Sequence, residues 1–136
     1  MRGAPETFAD YRASATTRTP AEILAHIGDL LDWALSIARG KQVWHNSPPL
    51  AWDKAVERFF VTLQALDNHL ASANPAQLPA EKLFQGPIAD ALTHVGQLTM
   101  LRRMAGTPIR GESYLVAEII TGRVGVDQAS ARREFD

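Results

Sequence analysis

The stretch from Pro87 to Gly106 constrains the fold more than any other part of the sequence. Pro87 suits a first helical turn, and Gly106 followed by Pro108 suits a stop. Arg102 and Arg103 fall in the last turn, where cations favour the negative end of the helix dipole. Apolar residues lie on most sides of this predicted helix, so neighbours are expected on several sides of it. Into it the sequence places Asp90 and His94. Residues four apart share a helix face, so a carboxylate and an imidazole project together. The pair either chelates a divalent metal or forms a hydrogen-bonded Asp–His pair, and the spacing admits both.

The rest of the chain also reads as helices. Residues 1–18 are mixed and polar, with a short helix over Glu6 to Ala13 anchored by Phe8 and Tyr11. Thr19-Pro20-Ala21-Glu22 is a helix start: Thr19 as N-cap, Pro20 at the first position, Glu22 closing a capping box. That helix runs to Arg39, and Gly40 ends it. Ile23, Ile27, Leu30, Trp33, Ala34 and Ile37 form its apolar face, with His26 in the middle and Asp29 and Asp32 off its centre. His26 is either a core histidine bonded to a carbonyl or carboxylate, or a metal ligand pointing inward.

Lys41 to Pro49 is a connection, and His45 within it reads as a surface or pocket-rim residue. Leu50 to Ala71 reads as a long amphipathic helix. Its buried stripe is Val56, Phe59, Phe60, Leu63, Leu66 and Leu70, with Asp53, Lys54, Glu57, Arg58 and Gln64 outside it. His69, near the end of that helix, is expected to be exposed and favourable to the dipole. Ser72 to Gln77 is a loop, and Pro79 to Phe84 a short turn of helix. Beyond Gly106, Glu112 to Thr121 is expected to be another short helix, and Gln128 to Asp136 a polar arm. No segment reads as a strand with a partner, so the fold class is all-α, with short connections between antiparallel neighbours.

Composition narrows the function. The chain has 136 residues, within the usual size of one domain, and 46% apolar residues suffice for a core. A net charge of -1 gives no sign of nucleic-acid or membrane partners. No apolar run approaches the ~18 residues of a membrane span. The first residues lack the basic and apolar regions of a signal peptide, so a cytoplasmic location is expected. With no cysteine, the chain has no disulfide, no thiolate metal site and no cysteine nucleophile.

Two helices therefore carry inward ionisable groups, His26 on one and Asp90 and His94 on the other. A His/His/carboxylate set matches a divalent site of Zn, Ni, Fe or Mn type with open positions for water or substrate. The residues around these positions also carry a resemblance. Leu24-Ala25-His26-Ile27-Gly28-Asp29 resembles the L-x-H-h-x-D/E signature in the second helix of DinB-like (DinB/YfiT superfamily) proteins. Thr93-His94-Val95-Gly96-Gln97-Leu98 resembles their H-H-R-G-Q-h signature in the fourth helix. The resemblance covers residues 19–125, leaving 1–18 as an N-terminal segment and 126–136 as a polar tail.

The resemblance implies a DinB-like antiparallel four-helix bundle with a metal held by three side chains, matching His26, Asp90 and His94. The family usually has His or Glu where this chain has Asp90, and Thr93 and Val95 stand where it has His and Arg. Members include thiol transferases that use bacillithiol or mycothiol, and a mycothiol-dependent isomerase. The resemblance thus implies a metal-dependent enzyme that activates a bound low-molecular-weight thiol or water, of transferase or hydrolase type, on a small-molecule substrate. With no cysteine here, any thiol comes from a cofactor or substrate. The alternative is a non-catalytic helical dimer or small-ligand or metal-binding protein.

The first helix of such a bundle is short or missing. The family's metal histidine lies on the second helix, whereas His26 lies on the first long one. Glu6 to Ala13 would span only ~12 Å at 1.5 Å per residue, against ~30 Å for the Leu50–Ala71 helix. A homodimer is expected to fill the gap. The competing expectations are that the Glu112–Thr121 helix folds back over it, or that a truncated or wrongly assigned start leaves the gap.

Overall fold

The structure is a computed structural model, and it describes residues 1, 3–72 and 78–135. In chain order it has a 3₁₀ turn (Glu6–Asp10), α1 (Pro20–Ala38), α2 (Trp52–Leu70), α3 (Ala80–Leu83) and α4 (Ala89–Met104). A two-residue strand pair follows, β1 (Gly111–Glu112) and β2 (Glu134–Phe135). The protein is mostly helical, as its patterning requires. The expected loop over 72–77 lies, apart from Ser72, outside the described residues, as does Asp136 at the end of the tail.

The helix ends follow the local chemistry. At the start of α1 the Glu22 carboxylate accepts from the Thr19 N–H at 2.6 Å, and Thr19 Oγ1 accepts from the Glu22 N–H at 3.1 Å. This reciprocal pair satisfies two donors that a helix start leaves free. At the end of α1, Gly40 takes a φ of 77°. Its N–H donates to Ile37 O and that of Lys41 to Ser36 O, both at 2.8 Å. Gly106 closes α4 in the same way, with a φ of 73° and bonds from Gly106 to Arg103 O and from Thr107 to Arg102 O. Both are the left-handed C-terminal caps that glycine allows without a Cβ clash.

Pro87 does not begin a helix. The backbone runs helically from Ala80 to Met104, and Pro87 sits in a π-helical turn, Phe84–Ile88, between α3 and α4. Proline has no N–H to donate and would clash with the carbonyl four residues back in a regular α-helix. The wider π turn accommodates it.

The helix enclosed on several sides is α1, not α4. It packs against α2, α4, α3, the π turn and the N-terminal 3₁₀ turn. Leu24, Ile27, Leu30, Leu31 and Ala34 of α1 are buried with Ala55 and Leu66 of α2 and Ala91, Leu98 and Leu101 of α4. Each fully buried leucine or isoleucine contributes about 1.5–3 kcal/mol. Phe8 completes this core, meeting Trp52 edge to face at 5.4 Å, and Tyr11 packs beside it. α4 packs mainly on α1 and leaves Leu92, Val95, Met100 and Met104 exposed. Its apolar residues are spread around the helix, so part of them stays outside the contact with α1.

Three further expectations are corrected. Glu112–Thr121 is not a helix: Gly111 and Glu112 pair antiparallel with Phe135 and Glu134, and turns follow. A Cβ on Gly111 would stand 2.7 Å from the Phe135 ring, so this pairing uses the bare glycine. Two residues per strand are too few to leave an alternating pattern in the sequence. His69 is half-buried rather than exposed, and its Nε2 has no hydrogen-bond partner among the described residues. Arg58, expected on the outer side of α2, reaches across to α1. Among the described residues no helix is long and apolar enough to cross a membrane.

Candidate metal centre

His26 projects from the second turn of α1, and Asp90 and His94 from the first two turns of α4. Because α4 packs on α1, the three side chains meet. One ligand atom from each lies within 4.8 Å of the other two, so the group can hold a metal ion. The His26 and His94 rings stand edge to face with centroids 4.6 Å apart. The Asp90 carboxylate touches both, with Oδ2 3.7 Å from His26 Nε2 and Oδ1 3.2 Å from His94 Nδ1. The side chains are 22% exposed for His26, 12% for His94 and 48% for Asp90, so the two imidazoles form the inner part of the group and the carboxylate its outer part.

The His26–Asp90 distance is close to what a shared ion needs. Two ligand atoms about 2.1 Å from one ion at a tetrahedral angle stand about 3.4 Å apart. The His26–Asp90 separation of 3.7 Å is already near that value. His94 is oriented by its own helix. Its Nδ1 lies 2.9 Å from the Asp90 carbonyl oxygen, which can only accept. The proton is therefore on Nδ1, leaving the lone pair of the neutral ring on Nε2. This is the outer support by which a ligating imidazole is held in one tautomer. Burial first, with the charge of Arg18 adding to it, holds the His26 imidazole below its ordinary pKa, against the opposing pull of Asp90 and Asp29. His26 is thus neutral at physiological pH and has a lone pair to offer.

A second cluster supports the first. Arg58 of α2 donates through Nη2 to Asp29 Oδ1 and Asp32 Oδ2, each at 2.7 Å, and through Nη1 to the Ala25 carbonyl. Asp29 is 2% exposed. A Cβ on Gly28 would stand 2.9 Å from Arg58 Nη1, so glycine makes room for the guanidinium against α1. The connection between α1 and α2 is drawn onto the same carboxylate through Ser47. Trp44 of that connection lies edge to face against His26, at 5.7 Å, and against Trp33, also at 5.7 Å.

In the sequence Asp29 and Asp32 stand off the apolar centre of α1, and no spacing joins them to Arg58. The available signal was two acids three residues apart on α1, with a glycine beside them to admit a large side chain. His45 does not join the three-residue group; it lines a separate shallow hollow with Asp32 and Arg58. The cavity adjoining the centre has a volume of about 230 Å³, and Arg18, Glu22, His26, Asp29, Asn46 and Ser47 line it. It meets the His26, Asp90 and His94 group through His26.

Compared with protein-family models, with curated proteins and with solved structures, the chain matches none.

Proposed function

We propose that the chain is a metal-dependent enzyme in which His26, Asp90 and His94 hold one divalent ion of Zn, Ni, Fe or Mn type. The observation that carries this reading is the convergence of the three donors within 4.8 Å from two separate helices. The resemblance of the His26 and His94 segments to the DinB-like signatures supports the same three positions. Asp90 is shorter than the family's usual His or Glu, yet its carboxylate comes within 3.7 Å of His26 Nε2.

A bound ion would supply Lewis acidity that draws the pKa of a coordinated thiol or water toward neutrality. The chain's own residues supply the rest. His94 is fixed by the Asp90 carbonyl, His26 is kept neutral by burial, and Trp44 shields one side of the His26 ring. Having no cysteine, the chain would take any nucleophilic thiol from a small cofactor of the bacillithiol or mycothiol kind. The reaction class is thiol transfer to a small electrophile or hydrolysis.

The test is turnover of an electrophilic dye with each thiol, and of a simple ester without thiol, by metal-loaded protein. Activity that disappears in His26→Ala supports the reading. A structural role is the second reading, favoured by the carboxylate of Asp90 lying between the two imidazoles. Metal-loaded protein inert toward every thiol and ester would favour that role.

A further inference from the structure

We infer that Arg18 and Asn46 form a carboxylate-binding subsite beside the metal centre. The substrate class would then be small acids that carry a second donor group, such as a thiol, able to reach the ion. This inference rests on the metal reading above and names what the site takes.

The argument is one of charge accounting in the cavity next to His26. Three charged side chains line it besides His26: Arg18, Glu22 and Asp29. Both acids are already paired. Glu22 accepts from the Thr19 N–H at 2.6 Å and from Arg12 at 3.2 Å. Asp29 accepts from Ser47 twice and from Arg58. Arg18 alone makes no hydrogen bond or ion pair among the described residues, and neither does the Asn46 amide. Among the residues that line the cavity, the charge left over is thus that of Arg18, which is exposed, as is Asn46 on the same lining. Arg18 and His26 line the same cavity, so the arginine stands next to the candidate metal centre.

A guanidinium presents a planar fork of N–H donors matched to a carboxylate. With two neutral imidazoles and one carboxylate, a divalent ion in the centre would leave a net charge near +1. An anionic ligand therefore meets positive charge at both ends. The cavity volume of about 230 Å³ lies below the ~300–1,000 Å³ of pockets for drug-sized ligands. This limits the ligand to a small molecule.

The test uses protein loaded with Co²⁺, whose absorption spectrum reports thiolate ligation. It is titrated with mercaptoacetate and 3-mercaptopropionate, and with 2-mercaptoethanol as the neutral counterpart. At least one acid is expected to bind about tenfold more tightly than the alcohol, a difference of one charge-assisted contact. Arg18→Gln should abolish that preference without changing Co²⁺ affinity, and Arg18→Lys should restore part of it. Equal binding of acids and alcohol by Co²⁺-loaded protein would overturn the subsite and leave the metal reading standing. Failure to bind Co²⁺ at all would overturn both.

Discussion

Ser47 holds Asp29 through both of its donors: its N–H lies 2.8 Å from Oδ2 and its hydroxyl 2.7 Å from Oδ1. The connection between α1 and α2 has no regular structure, yet this contact fixes it to α1 one turn beyond His26. The same carboxylate receives Arg58 from α2. One buried acid therefore ties three segments together beside the candidate metal centre and helps set Trp44 against His26.

Removing Asp29 should be costly. Asp29→Ala leaves the part-buried Arg58 guanidinium with only Asp32 and the Ala25 carbonyl, and orphans both Ser47 donors. Breaking one side of a buried ion pair costs about 3–5 kcal/mol. Ser47→Ala removes a single bond to a charged group and should cost about 1.5–3 kcal/mol. Urea unfolding of the two variants checks the order. An Asp29→Ala loss no larger than that of Ser47→Ala would contradict this account of the cluster.

The same carboxylate should leave a mark on acid stability. Burial of Asp29 by itself raises its pKa, but the hydrogen bonds from Arg58 and Ser47 outweigh it and hold the group below its ordinary value. The unfolded value is about 3.9, so between the two the unfolded chain binds more protons and stability rises with pH. The contribution is complete above about pH 5 and is lost as pH falls through the folded value. Urea midpoints taken from about pH 7 down to about pH 3 should fall less for Asp29→Asn than for the parent chain. Parallel curves would assign the acid sensitivity to other groups.

Metal binding is expected to stabilise the fold. An ion held by the assembled residues of α1 and α4, and not by the unfolded chain, would shift unfolding by mass action. The melting midpoint of metal-loaded protein should drop on adding a chelator, and should not change on adding chelator to His26→Ala. An unchanged midpoint for protein shown to be loaded beforehand would remove the coupling.

Helix existence and helix ends were legible because they depend on local chemistry. The Thr19–Glu22 capping box, the stops at Gly40 and Gly106, and the Phe8 anchor all lie where spacing places them. The convergence of His26, Asp90 and His94 was legible only as two separate faces, since no spacing states which helices touch. Pro87 misled because its usual place is a first turn, and the π turn that absorbs it has no sequence signature. Arg58 misled because a long side chain on the flank of a helix can still reach a neighbour. The β1–β2 pairing joins residues far apart in the chain through two positions each, too little pattern to read.

We propose that a second copy of the chain covers the exposed apolar residues of α4. Leu92, Val95, Met100 and Met104 are exposed, and among the described residues the segment after Gly106 forms no helix to fold back over them. Exposed apolar surface of this kind marks association, most simply about a two-fold axis. Light scattering at micromolar concentration should give twice the chain mass. Leu92→Glu with Met100→Glu should give the monomer. A soluble monomer of the parent chain would rule the dimer out.

Zinc titration by calorimetry, on the parent chain and on His94→Ala, tests the metal centre most directly. The far-UV spectrum of the variant verifies that its helices persist. The account expects one zinc per chain for the parent protein, and binding weakened at least about tenfold when one of the three ligands is lost. No stoichiometric binding by the parent chain, or equal affinity in a folded His94→Ala, would contradict the claim that His26, Asp90 and His94 form a metal centre.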